Sequence, residues 1–149
     1  MREVQFLKIK YNSPSKSYAV LLSVLNSDKI IPIPVGAKAA NTISMAHDLG
    51  NNSFPRPFTH DLLLDIINNL NSRIREVILS DFKNGTIFSK IILNNQQNSD
   101  LTIDCRPSDA ITIAIKSGAR IFIEDHVIEN LEKSDFDVTT YNNLDDLSN

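Results

Sequence analysis

The chain has 149 residues, 42% of them apolar and 22% charged, with a formal net charge of −3. Such a length fits one domain, the composition is that of a soluble globular protein, and no apolar run approaches the roughly 20 residues needed to span a bilayer, so no membrane span is expected. Residues 1–123 carry 14 Lys and Arg against 10 acids, a net +4, whereas residues 124–149 carry one Lys against eight acids, a net −7. A body of +4 tolerates a polyanionic partner without forming a dedicated nucleic-acid footprint.

From the N-terminus, MREVQFLKIK alternates charged and apolar residues where a signal peptide needs a continuous apolar segment. The lone Cys105 has no disulfide partner, so a reducing cytoplasm is the expected location. VQFLKIKY (4–11) alternates like a half-buried strand, NSPSKS is turn material, and YAVLLSVL (18–25) is a more buried run, together a hairpin. KIIPIPV (29–35) contains Pro32 and Pro34, each without an amide hydrogen, which predicts an edge strand. Residues 37–49 predict a helix closed by Gly50, and NNSFPRPF a loop.

Thr59 is placed to cap a helix over 59–72, whose Leu62, Leu63, Ile66, Ile67 and Leu70 share one face. Strands follow: IREVILSDF, a Lys83-Asn84-Gly85 turn, TIFSKIILN, a polar loop and LTIDC. A helix over 107–117, the strand RIFIE and the helix HVIENLEK complete residues 1–133, and the acidic segment 134–149 reads as a flexible tail.

The halves repeat. MREVQFLKIK opens the first and IREVILSDFK the second, and aligning Val35–Ala46 with Cys105–Lys116 sets Gly36 against Arg106 and Ala39 against Asp109. The expectation is an α+β fold of duplicated β-β-β-α units, with mixed or antiparallel sheets and helix 59–72 between the halves.

The densest stretch of chemistry is DCRPSDAITIAI, residues 104–115. Strand parity sends Leu101 and Ile103 to one face, Thr102 and Asp104 to the other. Pro107 suits the first helical position, and Asp109 falls in the first turn, where the helix dipole favours a carboxylate by about 0.3 to 1 kcal/mol. Asp104 and Asp109 are equally suited to satisfying backbone donors with Arg106 bridging them, or to holding a divalent cation or a water while Arg106 takes a phosphate oxygen. The spacing does not decide between these.

His60 is the best general acid/base candidate, because histidine is the side-chain type suited to proton exchange near neutral pH and two acids lie close by in sequence. Asp61 and Asp65 lie one helical turn apart, which reads more simply as solvated acids at a helix start than as a metal site. Arg56, between two prolines, suits a phosphate clamp or a plain surface loop. His47 and His126 have no ligand-spaced partners, and Cys105 reads as a small buried thiol. There is no glycine-rich phosphate loop, no zinc spacing and no aromatic-basic stripe.

Together with RPFTHDLL (56–63), IPIPVGAKAA (31–40) and RIFIEDHVIE (120–129), DCRPSDAITIAI resembles the bifunctional nuclease domain family over about residues 2–130. The resemblance implies an α+β fold, cleavage of DNA and RNA, and self-association, for instance as a dimer. It carries site roles to Arg56, Thr59, His60 and Asp61 in the first signature and to Asp104, Arg106, Ser108 and Asp109 in the second. On that reading Asp104 and Asp109 hold a divalent cation such as Mg or activate water, Arg56 and Arg106 bind phosphate, and His60 moves a proton. Where the family shows an acid after the Pro-Ile-x-Val-Gly stretch, this sequence has Ala39, which reduces a pair of related carboxylates to Asp109 alone. A non-catalytic binding or scaffold module, its charges holding halves or subunits together, is the competing expectation.

Overall fold

The computed structural model describes residues 1–13, 15–50 and 54–134. From residue 135 onward the predicted tail lies outside the described residues. Eleven elements follow in chain order: β1 (Arg2–Asn12), β2 (Ser17–Val24), β3 (Ile30–Val35), α1 (Ala37–Leu49), α2 (Thr59–Asn69), β4 (Arg73–Lys83), β5 (Thr86–Asn94), β6 (Asp100–Cys105), α3 (Pro107–Ser117), β7 (Arg120–Ile123) and α4 (Asp125–Lys133). The class is α+β, as expected.

All seven strands form one sheet, ordered β3-β2-β1-β7-β4-β5-β6. Each half is an antiparallel three-stranded meander, and β7 joins them, antiparallel to β1 and parallel to β4. β1 and β4 therefore run in opposite directions on either side of β7, so a half-turn about the sheet normal carries one meander onto the other. The bulges follow the same relation. Register shifts between Phe6 and Lys8 in β1 and between Leu79 and Asp81 in β4, positions that correspond in the MREV/IREV alignment. Since a bulge re-aims a strand, the shared position supports the duplication more directly than the few sequence identities do.

Local chemistry explains the boundaries. The proline-bearing β3 lies at a sheet edge, where missing donors cost no ladder bond. Asn84 and Gly85, at φ 52° and 75°, make the two-residue β4–β5 turn, whose left-handed backbone suits these residues. Pro107 stands at the start of α3, and Gly118, left-handed at φ 73°, ends it. α2 is capped one residue earlier than expected: Phe58 is the N-cap, and its amide donates to Asp61 Oδ2 at 3.2 Å. It stops at Asn69 and not at 72, because Asn71 turns left-handed at φ 55°.

The core joins alternate residues of the central strands, among them Leu22, Ile33, Val77, Leu79 and Ile123, to Ile43 of α1, Ile111 and Ile113 of α3 and Val127 of α4. Five consecutive residues of α3, Ala110–Ala114, are buried, so that helix is covered on more than one side. α2 is the exception to the expected pattern. Its packed positions are Leu64 and Ile67, while Leu62, Leu63, Ile66 and Leu70 are exposed.

Candidate functional site

α2 is fixed in rotation by two polar ties to α3. His60 Nε2 lies 3.0 Å from Asp109 Oδ1, and Lys116 Nζ donates to Asp61 Oδ1 at 2.7 Å. His60, Leu64 and Ile67 recur at i, i+4 and i+7, one helical face. That face turns inward and leaves Leu62, Ile66 and Leu70 outward, which is why the apolar spacing alone misassigned the buried side.

Asp109 is the junction of the site. Arg106 Nε donates to its Oδ2 at 2.8 Å and Arg106 Nη2 to its Oδ1 at 3.2 Å, the same oxygen that meets His60. Burial pushes the Asp109 carboxyl up, but the hydrogen bonds and positive charge of Arg106 and His60 outweigh it and hold the group below the ordinary carboxylate value. Arg106 is shifted upward by the same contact.

The remaining expected residues separate. Asp104 makes no hydrogen bond or ion pair among the described residues. It pairs in register with Lys90, and alternation points it away from the face of Ile103 and Cys105. Asp109 therefore bridges Arg106 and His60, and Arg106 does not join the two acids. Asp61 has both oxygens committed, one to the Phe58 amide and one to Lys116. The Ser108 carbonyl accepts the Thr112 hydroxyl at 2.7 Å. Cys105 packs against the core, and burial raises its thiol pKa against the opposing Ser89 hydrogen bond, which makes it a poor nucleophile.

Two clefts meet at His60. One, of about 610 Å³, is lined by Arg56, Phe58, Thr59, His60, Asp61 and Lys116 among others. The second, of about 1160 Å³, takes in Thr59, His60, Arg106, Ser108 and Asp109 and also reaches Asp104. Arg56 lines the first cleft and Arg106 the second. Three pairs related by the duplication, Gly36 and Arg106, Lys38 and Ser108, Ala39 and Asp109, line the second cleft together. It lies where the two halves meet, with ionic groups concentrated in one half. Lys38, exposed and with no side-chain partner among the described residues, adds a cation to this cleft that neither sequence signature contains. Lys116, another omission, was visible only as a polar residue ending an apolar helix.

The donor set does not fit a divalent cation. Asp109 has both oxygens engaged by Arg106 and His60, Ala39 offers no ligand across the cleft, and among the described residues no group of three or more His, Cys, Asp or Glu side chains converges. What the arrangement does offer is an imidazole oriented by a carboxylate, with one guanidinium group in each of the two clefts that His60 lines. If Nε2 carries the proton given to Asp109, Nδ1 keeps the lone pair.

No helix among the described residues is long and apolar enough to cross a membrane. Two relatives from Mycobacterium tuberculosis, the uncharacterized proteins MT1877 and Rv1829, are each 30% identical over 145 residues, spanning 94% of this chain and 85% of theirs. Residues 20–135 match the family model described as the bifunctional nuclease domain. The match takes in both His60 and Asp109, and with it the chain belongs to the bifunctional nuclease domain family.

Proposed function

We propose that the protein hydrolyses phosphodiester bonds of DNA or RNA with low sequence specificity, using the clefts that meet at His60. The observation that carries this reading is the 3.0 Å contact between His60 Nε2 and Asp109 Oδ1 at a place where both clefts open. Asp109 holds the imidazole with Nδ1 basic, and His60 removes a proton from water or from a ribose 2′-hydroxyl as that oxygen attacks phosphorus; the P–O bond to the departing sugar oxygen breaks, and that oxygen takes its proton from solvent water. Arg106, which leaves Nη1 free of Asp109, and Arg56 neutralise the charge gathering on the phosphoryl oxygens. Thr59 and Ser108 line the path of the strand. Asp61 is a positioning residue, since it ties α2 to Lys116 and so sets the height of His60. This chemistry requires no metal ion. The chain acts in the cytoplasm as a single domain over residues 1–133, and it self-associates as a dimer.

One observation favours a second reading, a non-catalytic binding or scaffold module. Lys38 and Arg106 are balanced in the larger cleft by Asp104 and Asp109, so the field there does little to attract a polyanion. The same His60–Asp109 and Asp61–Lys116 contacts then act as clamps between α2 and α3. Asp109→Asn separates the two: a folded protein that has lost cleavage supports hydrolysis, and one whose α2 detaches while wild type shows no cleavage supports the scaffold.

A further inference from the structure

The smaller of the two clefts holds more than proton transfer at His60 requires. Its volume of about 610 Å³ is that of a small-molecule pocket. Beside Arg56 and His60 it is walled by apolar side chains, Met45 and Leu49 from α1 and Phe54 and Phe58 ahead of α2. The two phenylalanine rings lie 4.8 Å apart at a tilt of 52°, yet stay 42% and 47% exposed and outside the hydrophobic core. Exposed aromatic rings beside a guanidinium are the surface on which the bases of a single strand stack.

The acids of the cleft differ in what they already hold. Asp61 pairs with Lys116 at 2.7 Å and accepts the Phe58 amide with its other oxygen. Asp65, one turn further along the same face of α2, also lines the cleft, and its carboxylate has no partner among the described residues. An ionised carboxylate only accepts hydrogen bonds. Guanine alone among the common bases offers it two adjacent donors, N1–H and the N2 amine. Adenine and cytosine set a ring-nitrogen acceptor beside their amine, and uracil and thymine flank one N–H with two carbonyls. The guanine edge is open only in an unpaired strand.

We propose that this cleft is a base subsite for an unpaired guanine of the substrate strand, stacked on Phe54 and Phe58 and donating N1–H and N2–H to Asp65. Asp65 stands five residues beyond His60, roughly 7.5 Å along the helix, so a nucleotide with its base at Asp65 sets its phosphate beside Arg56 and His60. The proposal rests on the strand-cleaving reading and supplies the base preference that reading leaves open; specificity stays low because a single base is read.

Fluorescence anisotropy of labelled hexauridylates carrying guanosine, inosine, adenosine or cytidine at one central position tests this, in wild type and in His60→Gln so that cleavage does not enter. The guanosine strand is expected to bind at least about fivefold more tightly than the adenosine or cytidine strand, the low end for a bidentate base contact. Inosine, which lacks the N2 amine, falls between. Asp65→Asn, whose amide both donates and accepts, is expected to move the preference to adenosine or cytidine, and Phe54→Ala to weaken every strand at least about fivefold. Guanosine monophosphate is expected to displace the guanosine strand only at far higher concentration than the unlabelled strand does; displacement at equal concentration assigns the pocket to a free nucleotide and overturns the proposal. Equal affinity for the four strands overturns it, as does a guanosine preference that survives Asp65→Asn. Cleavage without base preference removes the subsite alone, a guanosine preference without cleavage keeps the subsite and removes the hydrolysis, and binding of no strand removes both.

Discussion

His60 on α2 and Asp109 on α3, 49 positions apart in the chain, meet at 3.0 Å, and Arg106 grips the same carboxylate from the other side. Asp109 thus does two jobs, orienting an imidazole and restraining a guanidinium. Each is expected to leave a separate experimental trace.

The first trace is in stability against pH. Asp109 titrates lower in the folded chain than its ordinary value of 3.8, so the unfolded chain takes up the proton first on acidification. Its contribution is present in full above that ordinary value and is lost as pH falls through it toward the folded value. Urea unfolding of wild type and Asp109→Asn is expected to differ by about 1 to 2 kcal/mol near neutral pH, the range for hydrogen bonds to charged groups. The gap should narrow below about pH 3.8; a gap that widens with acid contradicts the assignment.

The ionic strength dependence of binding follows from the few cations that line the two clefts. With Arg56, Arg106 and Lys38 as the phosphate contacts, log K for a single-stranded oligonucleotide should fall with log salt at a slope of about −2, from roughly −0.7 per contact. Arg56→Ala should make the slope shallower by about 0.7. A slope near −6 would place the binding surface elsewhere.

Lys116 has a side chain only 12% exposed and Asp61 one of 33%, so removing the cation strands a partly buried carboxylate. Lys116→Met is expected to cost about 1 to 3 kcal/mol and to lower cleavage through loss of His60 placement. Asp61→Asn/Lys116→Met should recover part of the stability. Lost stability with undiminished cleavage would remove Asp61 from the positioning role.

Because the carboxylate oxygens near His60 are already engaged, cleavage by chelator-treated protein is expected to match that of untreated protein. Ala39→Asp, which adds a carboxylate at the position related to Asp109, is expected to introduce divalent-cation binding measurable by calorimetry. Loss of wild-type cleavage on chelation, restored by Mg²⁺, would contradict the reading of the donor set.

Much of this was legible before the fold was known. Periodicity and punctuation placed α1, β5 and α3 at their observed bounds, Pro32 and Pro34 marked an edge, and Asn84-Gly85 marked a hairpin. Those signals are local. The insertion of β7 between β1 and β4 is not, since an apolar strand carries no label for its neighbours, and so one sheet stood where two were equally consistent with the pattern. The face of α2 was misassigned because apolar residues lie on most of its circumference, and polar ties to α3 decide which side turns inward. Asp104 and Asp109 illustrate the same limit: parity sent Asp104 to its own face, but only the tertiary fold brings His60, and not Asp104, to Asp109.

The most direct test is single-turnover cleavage of a labelled oligonucleotide by wild type and His60→Gln, purified side by side and matched in fold and in oligonucleotide affinity. His60→Gln is expected to bind as wild type does but to cleave at least about 100-fold more slowly, the low end for loss of a general base. Equal rates in the two proteins, or no cleavage by either, would contradict it.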